Sequence, residues 1–146
     1  MTVIEELIMK VKSAEESTDE LILDLVKDRE ELVISLNVDD QLYNGLDANG
    51  EVVAPEYAQS TINRKKKKGH PYNRVTLKDS GDFHSSFMVD YRTNEFVIEG
   101  GDRKKEYLVR KYGEDIFGLT EKNISRLSAE IRDDFVSGIK KIILQQ

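Results

Sequence analysis

The chain contains no cysteine and no tryptophan, and it has only two histidines and two prolines. Without cysteine, disulfide bonds and thiolate metal sites are excluded. No apolar run approaches the roughly 20 residues that a membrane-spanning helix needs. The segment 1–6 is acidic and lacks the basic start of a secretory signal peptide. We therefore expect a protein that does not enter a membrane and that stays in the cytoplasm, or in a particle assembled there.

What the sequence does contain is a large share of charge, unevenly distributed. Of the 146 residues, 34% are charged and 38% are hydrophobic, which is polar for a globular protein but sufficient for one core. We expect a single domain over 1–146. Residues 1–58 carry 4 Lys/Arg against 15 Asp/Glu, whereas residues 59–112 carry 13 against 7. This asymmetry suggests head-to-tail contact between copies of the chain.

The N-terminal segment, 1–36, has the hydrophobic spacing of helices. Apolar residues recur every three or four positions, with a polar interruption over 13–18. The pattern predicts one or two helices that end near residue 29. Residues 31–36 contain enough β-branched and apolar side chains to form either a helix or a strand.

The middle of the chain predicts irregular structure followed by a hairpin. Residues 44–74 have turn signals and both prolines of the chain, which favours a long loop with room for a short helix around 57–64. Within 75–100, a short strand at 75–77 precedes two β-prone runs, 85–91 and 95–99, that flank a turn.

The C-terminal segment, 104–146, is again helical in pattern. One helix is expected to end at Gly113, and Thr120 is the expected N-cap of a long final helix. Together these segments predict an α+β fold: N-terminal helices, a small antiparallel sheet with a long basic loop, and C-terminal helices packed on the sheet.

No combination of residues predicts catalysis, a metal or a cofactor. Residues 47–56 resemble part of a calcium loop, but its first ligand position would be Gly45, which carries no carboxylate. A serine–histidine–acid arrangement around His84 and Ser85 would need neighbours in sequence to adopt a geometry that normally comes from distant segments. Paired carboxylates fall on predicted helices, where a solvated face explains them. We therefore expect a protein that is not an enzyme.

A basic run is the sharpest local feature of the sequence. It consists of five consecutive cationic residues, Arg64, Lys65, Lys66, Lys67 and Lys68. A second, shorter run follows at Arg103, Lys104 and Lys105. Closely spaced cations suit phosphate contacts with nucleic acid, and they equally suit an acidic protein surface. A solvated loop without a partner is the remaining interpretation.

The segment 75–87, Val-Thr-Leu-Lys-Asp-Ser-Gly-Asp-Phe-His-Ser-Ser-Phe, resembles a motif of small tailed-bacteriophage proteins. These proteins are known as tail-completion, virion-morphogenesis or head–tail connector (neck) proteins, and their motif reads Leu-x-Asp-Thr-Gly-x-Leu-x-x-Ser. Upstream, residues 47–68 resemble the family's Asp-Gly, Leu-Ser-x-x-Thr and Lys stretch. Downstream, residues 106–113 are similar to its Tyr-Ala-to-Gly element. The resemblance thus spans about residues 40–113, with Ser80 in place of the usual Thr and Phe83 in place of the usual Leu.

The resemblance implies a structural protein of the virion. Members of such a family form oligomeric rings at the neck or the top of the tail, where they contact further copies and other neck, portal or tail proteins. The ring closes the head–tail junction and lies near packaged DNA. Assembly would take place in the cytoplasm of the bacterial host. The alternative function, which uses the basic residues 64–68 together with Arg103, Lys104 and Lys105, is that of a nucleic-acid-binding accessory protein.

The motif also has an interpretation from its own residues. Asp79 and Ser80 are side chains that bond to the backbone at turns, and Gly81 adopts conformations that other residues resist. Phe83 follows as an apolar anchor. We expect these four residues to form a structural turn that leads into the hairpin.

Overall fold

The computed structural model describes residues 2–144, and it has the predicted α+β architecture. Six α-helices and two strands are present within that range. Their bounds, in chain order, are α1 Val3–Lys27, α2 Glu30–Ser35, α3 Gln59–Lys68, α4 Asp82–Ser85, β1 Phe87–Tyr91, β2 Phe96–Gly100, α5 Lys105–Tyr112 and α6 Glu121–Leu144. None of these helices combines the length and the hydrophobicity that crossing a membrane requires.

The first helix is a single element of 25 residues, so the polar stretch at 13–18 does not interrupt it. A capping box starts the helix: the Thr2 hydroxyl accepts from the Glu5 amide at 3.1 Å, and the Glu5 carboxylate accepts from the Thr2 amide at 2.8 Å. Within the polar stretch, the Thr18 hydroxyl donates to the Ala14 carbonyl at 2.8 Å and thereby stays inside the helix.

Residues 31–36, for which the sequence allows either a helix or a strand, are helical in the structure. Residues 30–35 form α2, and 36–41 continue as one turn of π-helix followed by a 3₁₀ turn, Leu42–Asn44. Val33 and Leu42 are fully buried in this stretch. Burial of apolar side chains on one helical face therefore overrides the β propensity of the individual residues.

Residues 44–74 are not one long loop, because the basic run lies in the helix α3 at the centre of that segment. Gly69 ends this helix in the left-handed conformation (φ 73°), which suits glycine. The four lysines occupy the last turn, where the partial negative charge of the helix C-terminus favours cations. The predicted short helix was thus placed correctly in part, but its C-terminal end lies four residues further on.

The sheet is a single antiparallel hairpin, with Phe87 opposite Gly100 and Tyr91 opposite Phe96. The predicted strand at 75–77 is wrong. This segment pairs with no strand, and Leu77 is in the left-handed region (φ 58°), which a strand does not allow. The amides of Thr76 and Leu77 donate instead to the phenolic oxygen of Tyr57, at 3.0 and 3.3 Å.

One core joins these elements. Phe83 and Phe87 pack edge to face, with ring centroids 5.2 Å apart, and Phe117 lies 5.1 Å from Phe87 in the same cluster. The core also includes Ile116, which is fully buried. The segment that connects α5 and α6 therefore packs against the hairpin, whereas α6 itself packs mainly along α1.

Three buried amides fasten α6 to the helical segment after α2; we refer to Asn37, Gln41 and Asn123 as the amide clasp. Asn37 accepts from the Gly118 amide at 2.9 Å, and Gln41 accepts from the Thr120 amide at 3.0 Å. Asn123 donates to the Gln41 side chain at 2.9 Å. The predicted N-cap is present, since the Thr120 hydroxyl accepts from the Asn123 amide at 3.2 Å.

Candidate functional site

A groove between α3 and α5 brings the two basic runs of the sequence together. It has a volume of about 460 Å³, and the turn before α4 forms part of its wall. We refer to it as the basic groove. Its cationic lining residues are Arg64, Lys65, Lys78, Arg103, Lys104 and Lys111, against the two carboxylates of Asp79 and Asp82. The predicted contact residues Lys66, Lys67, Lys68 and Lys105 do not line it.

Lys65 lines the groove from within the protein and is not a surface contact residue, which corrects its place among the predicted partner contacts. Its side chain is only 5% exposed. The Lys65 ammonium donates to the Lys78 carbonyl at 2.9 Å and lies 4.9 Å from the centroid of the Tyr57 ring. A hydrogen bond and a cation–π contact together compensate for its burial.

The remaining lysines of α3 take different directions. Lys66 lies over the Tyr72 ring, 4.8 Å from its centroid, and Lys67 is exposed. Lys68 forms a 3.0 Å salt bridge with Asp79, and this hydrogen bond is the main reason that the pKa of Asp79 is lowered. A run of identical residues thus contributes one core side chain, one stacked side chain and one ion pair, because successive helical positions are about 100° apart.

Lys105 is separated from its two neighbours in the second run. Arg103 and Lys104 line the basic groove, whereas Lys105 lies over the Phe117 ring on another side of α5, 5.8 Å from its centroid. Lys104 also acts on the groove at a distance, since its charge contributes to the lowered pKa of Asp79.

The turn motif leads into a helix and not directly into the hairpin. Gly81 is in the left-handed region (φ 94°), and the Ser80 hydroxyl accepts from the Asp82 amide at 3.3 Å. The single helical turn α4 follows, so Ser85 belongs to a helix and the first strand starts at Phe87. Phe83 is buried, as its role of apolar anchor requires.

Aromatic residues of α5 complete the groove, and the sequence analysis missed them. Tyr107 is exposed, and Tyr112 is partly buried, which raises its pKa. The Lys111 ammonium lies 5.9 Å and 5.4 Å from the centroids of these two rings. The four-residue spacing of Tyr107 and Lys111 places both on one helical face, and that spacing was the available signal.

The arrangements considered for catalysis and metal binding are absent from residues 2–144. His84 is buried, and its Nε2 atom lies 2.8 Å from the Thr76 carbonyl, while burial lowers its pKa. The Asp47 carboxylate accepts from the amides of Asn49 and Glu51 and so closes a turn. No group of three or more metal-ligating side chains forms in this part of the chain.

Two further surfaces lie on α1. On one face, Glu16, Glu20 and Asp24 are exposed at four-residue spacing; we refer to them as the acidic ridge. None of the three forms an ion pair with another residue of 2–144. On the opposite face, over residues 3–14, apolar side chains are exposed; we refer to this part of the helix as the arm.

Comparison with protein-family models, with curated proteins and with solved structures finds no match to the chain.

Proposed function

We propose that the chain is a structural virion protein of a tailed phage, which assembles as an oligomeric ring at the neck or the top of the tail. The resemblance of residues 40–113 to tail-completion and head–tail connector proteins supports this proposal. The role is mechanical and requires neither catalysis nor a cofactor. Its partners would be further copies of the chain and neighbouring neck, portal or tail proteins.

The observation that carries the proposal is the presence of two oppositely charged surfaces on separate elements. The basic groove holds six cationic side chains and two carboxylates. The acidic ridge on α1 presents Glu16, Glu20 and Asp24. The groove cations Arg64, Arg103 and Lys104, like the ridge carboxylates, form no ion pair within residues 2–144.

A contact between these two surfaces joins different patches of neighbouring copies. Such a heterologous contact builds a ring when the rotation between copies closes. Its charges also steer the copies into register, and the contact weakens as salt screens the exposed pairs. Assembly would therefore be favoured at low ionic strength, or at high local concentration on a growing particle.

Charge reversal tests the contact. Arg64→Glu on the groove, or Glu20→Lys on the ridge, should each reduce the salt-sensitive oligomer in solution. A mixture of the two variants should restore association, since in an alternating ring each contact pairs either a reversed groove with a reversed ridge or a natural groove with a natural ridge. Lys67→Glu is the matched control, because Lys67 is an exposed cation outside the groove. If Lys67→Glu reduces the oligomer as much as the two test variants do, or if the mixture does not restore the oligomer, this contact is excluded.

The place in the virion needs a separate experiment. Antibodies against the purified chain should label tailed particles produced by the host that encodes it, and the label should lie at the junction of head and tail. Particles that carry the chain elsewhere, or that lack it altogether, would contradict the neck assignment even if the purified chain assembles.

A second candidate function is nucleic-acid binding through the same groove. The observation that favours it is the union of both basic runs beside Tyr107, whose exposed ring offers a stacking surface for a base. The purified chain should then bind single-stranded or duplex DNA with an affinity that falls steeply with salt. Arg103→Ala should reduce the slope of log affinity against log salt by about 1. Absence of salt-dependent binding would exclude this function.

A further inference from the structure

The arm of α1 exposes an apolar stripe that nothing in residues 2–144 covers. Its members are Val3, Ile4, Leu7, Ile8 and Val11, which are between 49% and 81% exposed. They lie within one helical face, because positions 3, 4, 7, 8 and 11 repeat the i, i+3/i+4, i+7/i+8 spacing of a helical turn. A contiguous apolar surface of this kind usually marks a site of association.

The stripe is uncovered because α1 extends beyond the helix that packs against it. Leu21 approaches Gly138 so closely that a Cβ atom at that glycine would lie 2.6 Å from the leucine Cδ2, and Arg29 pairs with Asp134 at 2.7 Å. The two helices are therefore antiparallel. Val3 lies 18 positions before Leu21, whereas the described part of α6 runs only six positions beyond Gly138. The excess is about 12 residues, or about 18 Å of helix.

The arm continues the seam along which α1 packs on α6. The positions Ile4, Leu7, Val11, Ala14, Thr18, Leu21 and Leu25 alternate three- and four-residue steps, which is a heptad pattern. The last members of this series pack against α6 and the core. The first members face the same way, in line with α6 and past its end.

We infer that the arm packs against the arm of a second copy, with the two helices antiparallel around a two-fold axis. The direction follows from sterics. A parallel second α1 on this seam would bring its inner half to the place that α6 already occupies. An antiparallel α1 runs in the same direction as α6, and it would occupy the free part of the seam end to end with that helix.

The arm is also complementary to itself in this direction. Centred on Met9, an antiparallel register places Leu7 opposite Val11 of the second copy and Ile4 opposite the small Ala14. Each large side chain therefore meets a smaller or branched one. The carboxylates of Glu5 and Glu6 lie away from the seam, so the pair forms without acidic repulsion across it.

This dimer does not depend on the proposed function. A two-fold contact is closed and cannot by itself propagate a ring, and it uses the face of α1 opposite the acidic ridge. It also rests on apolar contacts, so it should persist at salt concentrations that abolish the groove contact. The two contacts can therefore fail or succeed separately.

Cross-linking of introduced cysteines tests the inference, because the natural chain has none. A short bis-maleimide should cross-link a mixture of Leu7→Cys and Val11→Cys into the mixed dimer several-fold faster than Met9→Cys alone. Met9 is the matched control, because it is exposed on the polar side of the same helix. A mixed product of Ile4→Cys with Ala14→Cys is expected by the same register.

Two results would overturn the inference. In the first, no variant cross-links faster than Met9→Cys, which means that the arms do not meet. In the second, Leu7→Cys and Val11→Cys each cross-link with themselves and not with each other, which indicates parallel helices. A folding defect can be recognised separately, since Ile4, Leu7, Met9 and Val11 are exposed and Ala14 is half-buried. The helical circular dichroism of each variant can be compared with that of the natural chain.

Discussion

The inner and outer halves of α1 share one hydrophobic pattern and have different surroundings. In the inner half, Leu25 is 9% exposed and packs into the core. In the outer half, Leu7 occupies an equivalent seam position and is 60% exposed. Periodicity therefore identifies the face that a helix buries, whereas the identity of the partner depends on where the neighbouring helix ends.

Truncation of a leucine in each half of α1 should show the largest difference between the two halves. Leu25→Ala removes a buried side chain and should lower the free energy of unfolding by about 2–5 kcal/mol. Leu7→Ala, at an exposed position of the same helix, should change it by less than about 0.5 kcal/mol in the monomer. Urea denaturation at low protein concentration measures both. Equal losses would mean that the arm is packed within the monomer.

The amide clasp holds α6 in place, and its removal should have the next largest effect. Asn123→Ala leaves the buried Gln41 amide oxygen and the Leu36 carbonyl each short of a donor. We expect a loss of about 2–3 kcal/mol in the free energy of unfolding. Asn63→Ala, on the exposed surface of α3, is the control and should be nearly neutral. A neutral result for Asn123→Ala would show that α6 is held by its apolar face alone.

The contrast between buried and exposed positions recurs within the basic run. Lys65→Met keeps the aliphatic stem but removes the donor to the Lys78 carbonyl and the charge over the Tyr57 ring. The expected loss in unfolding free energy is about 1–2 kcal/mol. Lys67→Met should be neutral within about 0.5 kcal/mol. The order of the two effects, measured by urea denaturation, decides whether Lys65 is a structural residue.

The smallest expected effect concerns pH. Burial lowers the pKa of His84 below its ordinary value of 6.5, with Lys78 opposing the charged form and Asp39 favouring it. Below pH 6.5 the unfolded chain therefore takes up a proton that the folded chain does not. Stability from this group is complete well above pH 6.5 and falls as pH decreases through 6.5, by at most about 1.4 kcal/mol at pH 5.5.

Comparison of one variant with the natural chain isolates this contribution. Urea denaturation at pH 7.5, 6.5 and 5.5 should show a smaller acid loss of stability for His84→Gln than for the natural chain. The same acid loss in the variant and in the natural chain would indicate that His84 is accessible to protons in the folded state.

The fold class and most helical segments could be predicted because hydrophobic spacing and caps are local signals. Thr120 and Gly113 stand where the structure begins and ends helices. The strand predicted at 75–77 failed for a tertiary reason: Tyr57, about twenty residues upstream, takes the hydrogen bonds that a strand would have made. No spacing rule in the sequence reports such a partner.

The candidate site was predictable in its charge and not in its geometry. Arg64, Arg103 and Lys104 were expected to contact a partner, and they line one groove. That Lys65 lies buried in the wall of the groove and that Lys105 lies outside it depends on the direction of each side chain around its helix. Tyr107 and Tyr112 joined the groove through tertiary packing of α5 beside α3.

The central claim is that copies of the chain associate through two separable contacts. Light scattering of the purified protein at low and moderate salt tests it most directly. We predict a discrete oligomer larger than a dimer at low salt, a dimer at moderate salt, and a monomer when Leu7→Glu is added at moderate salt. A monomer at every concentration and salt would contradict both contacts.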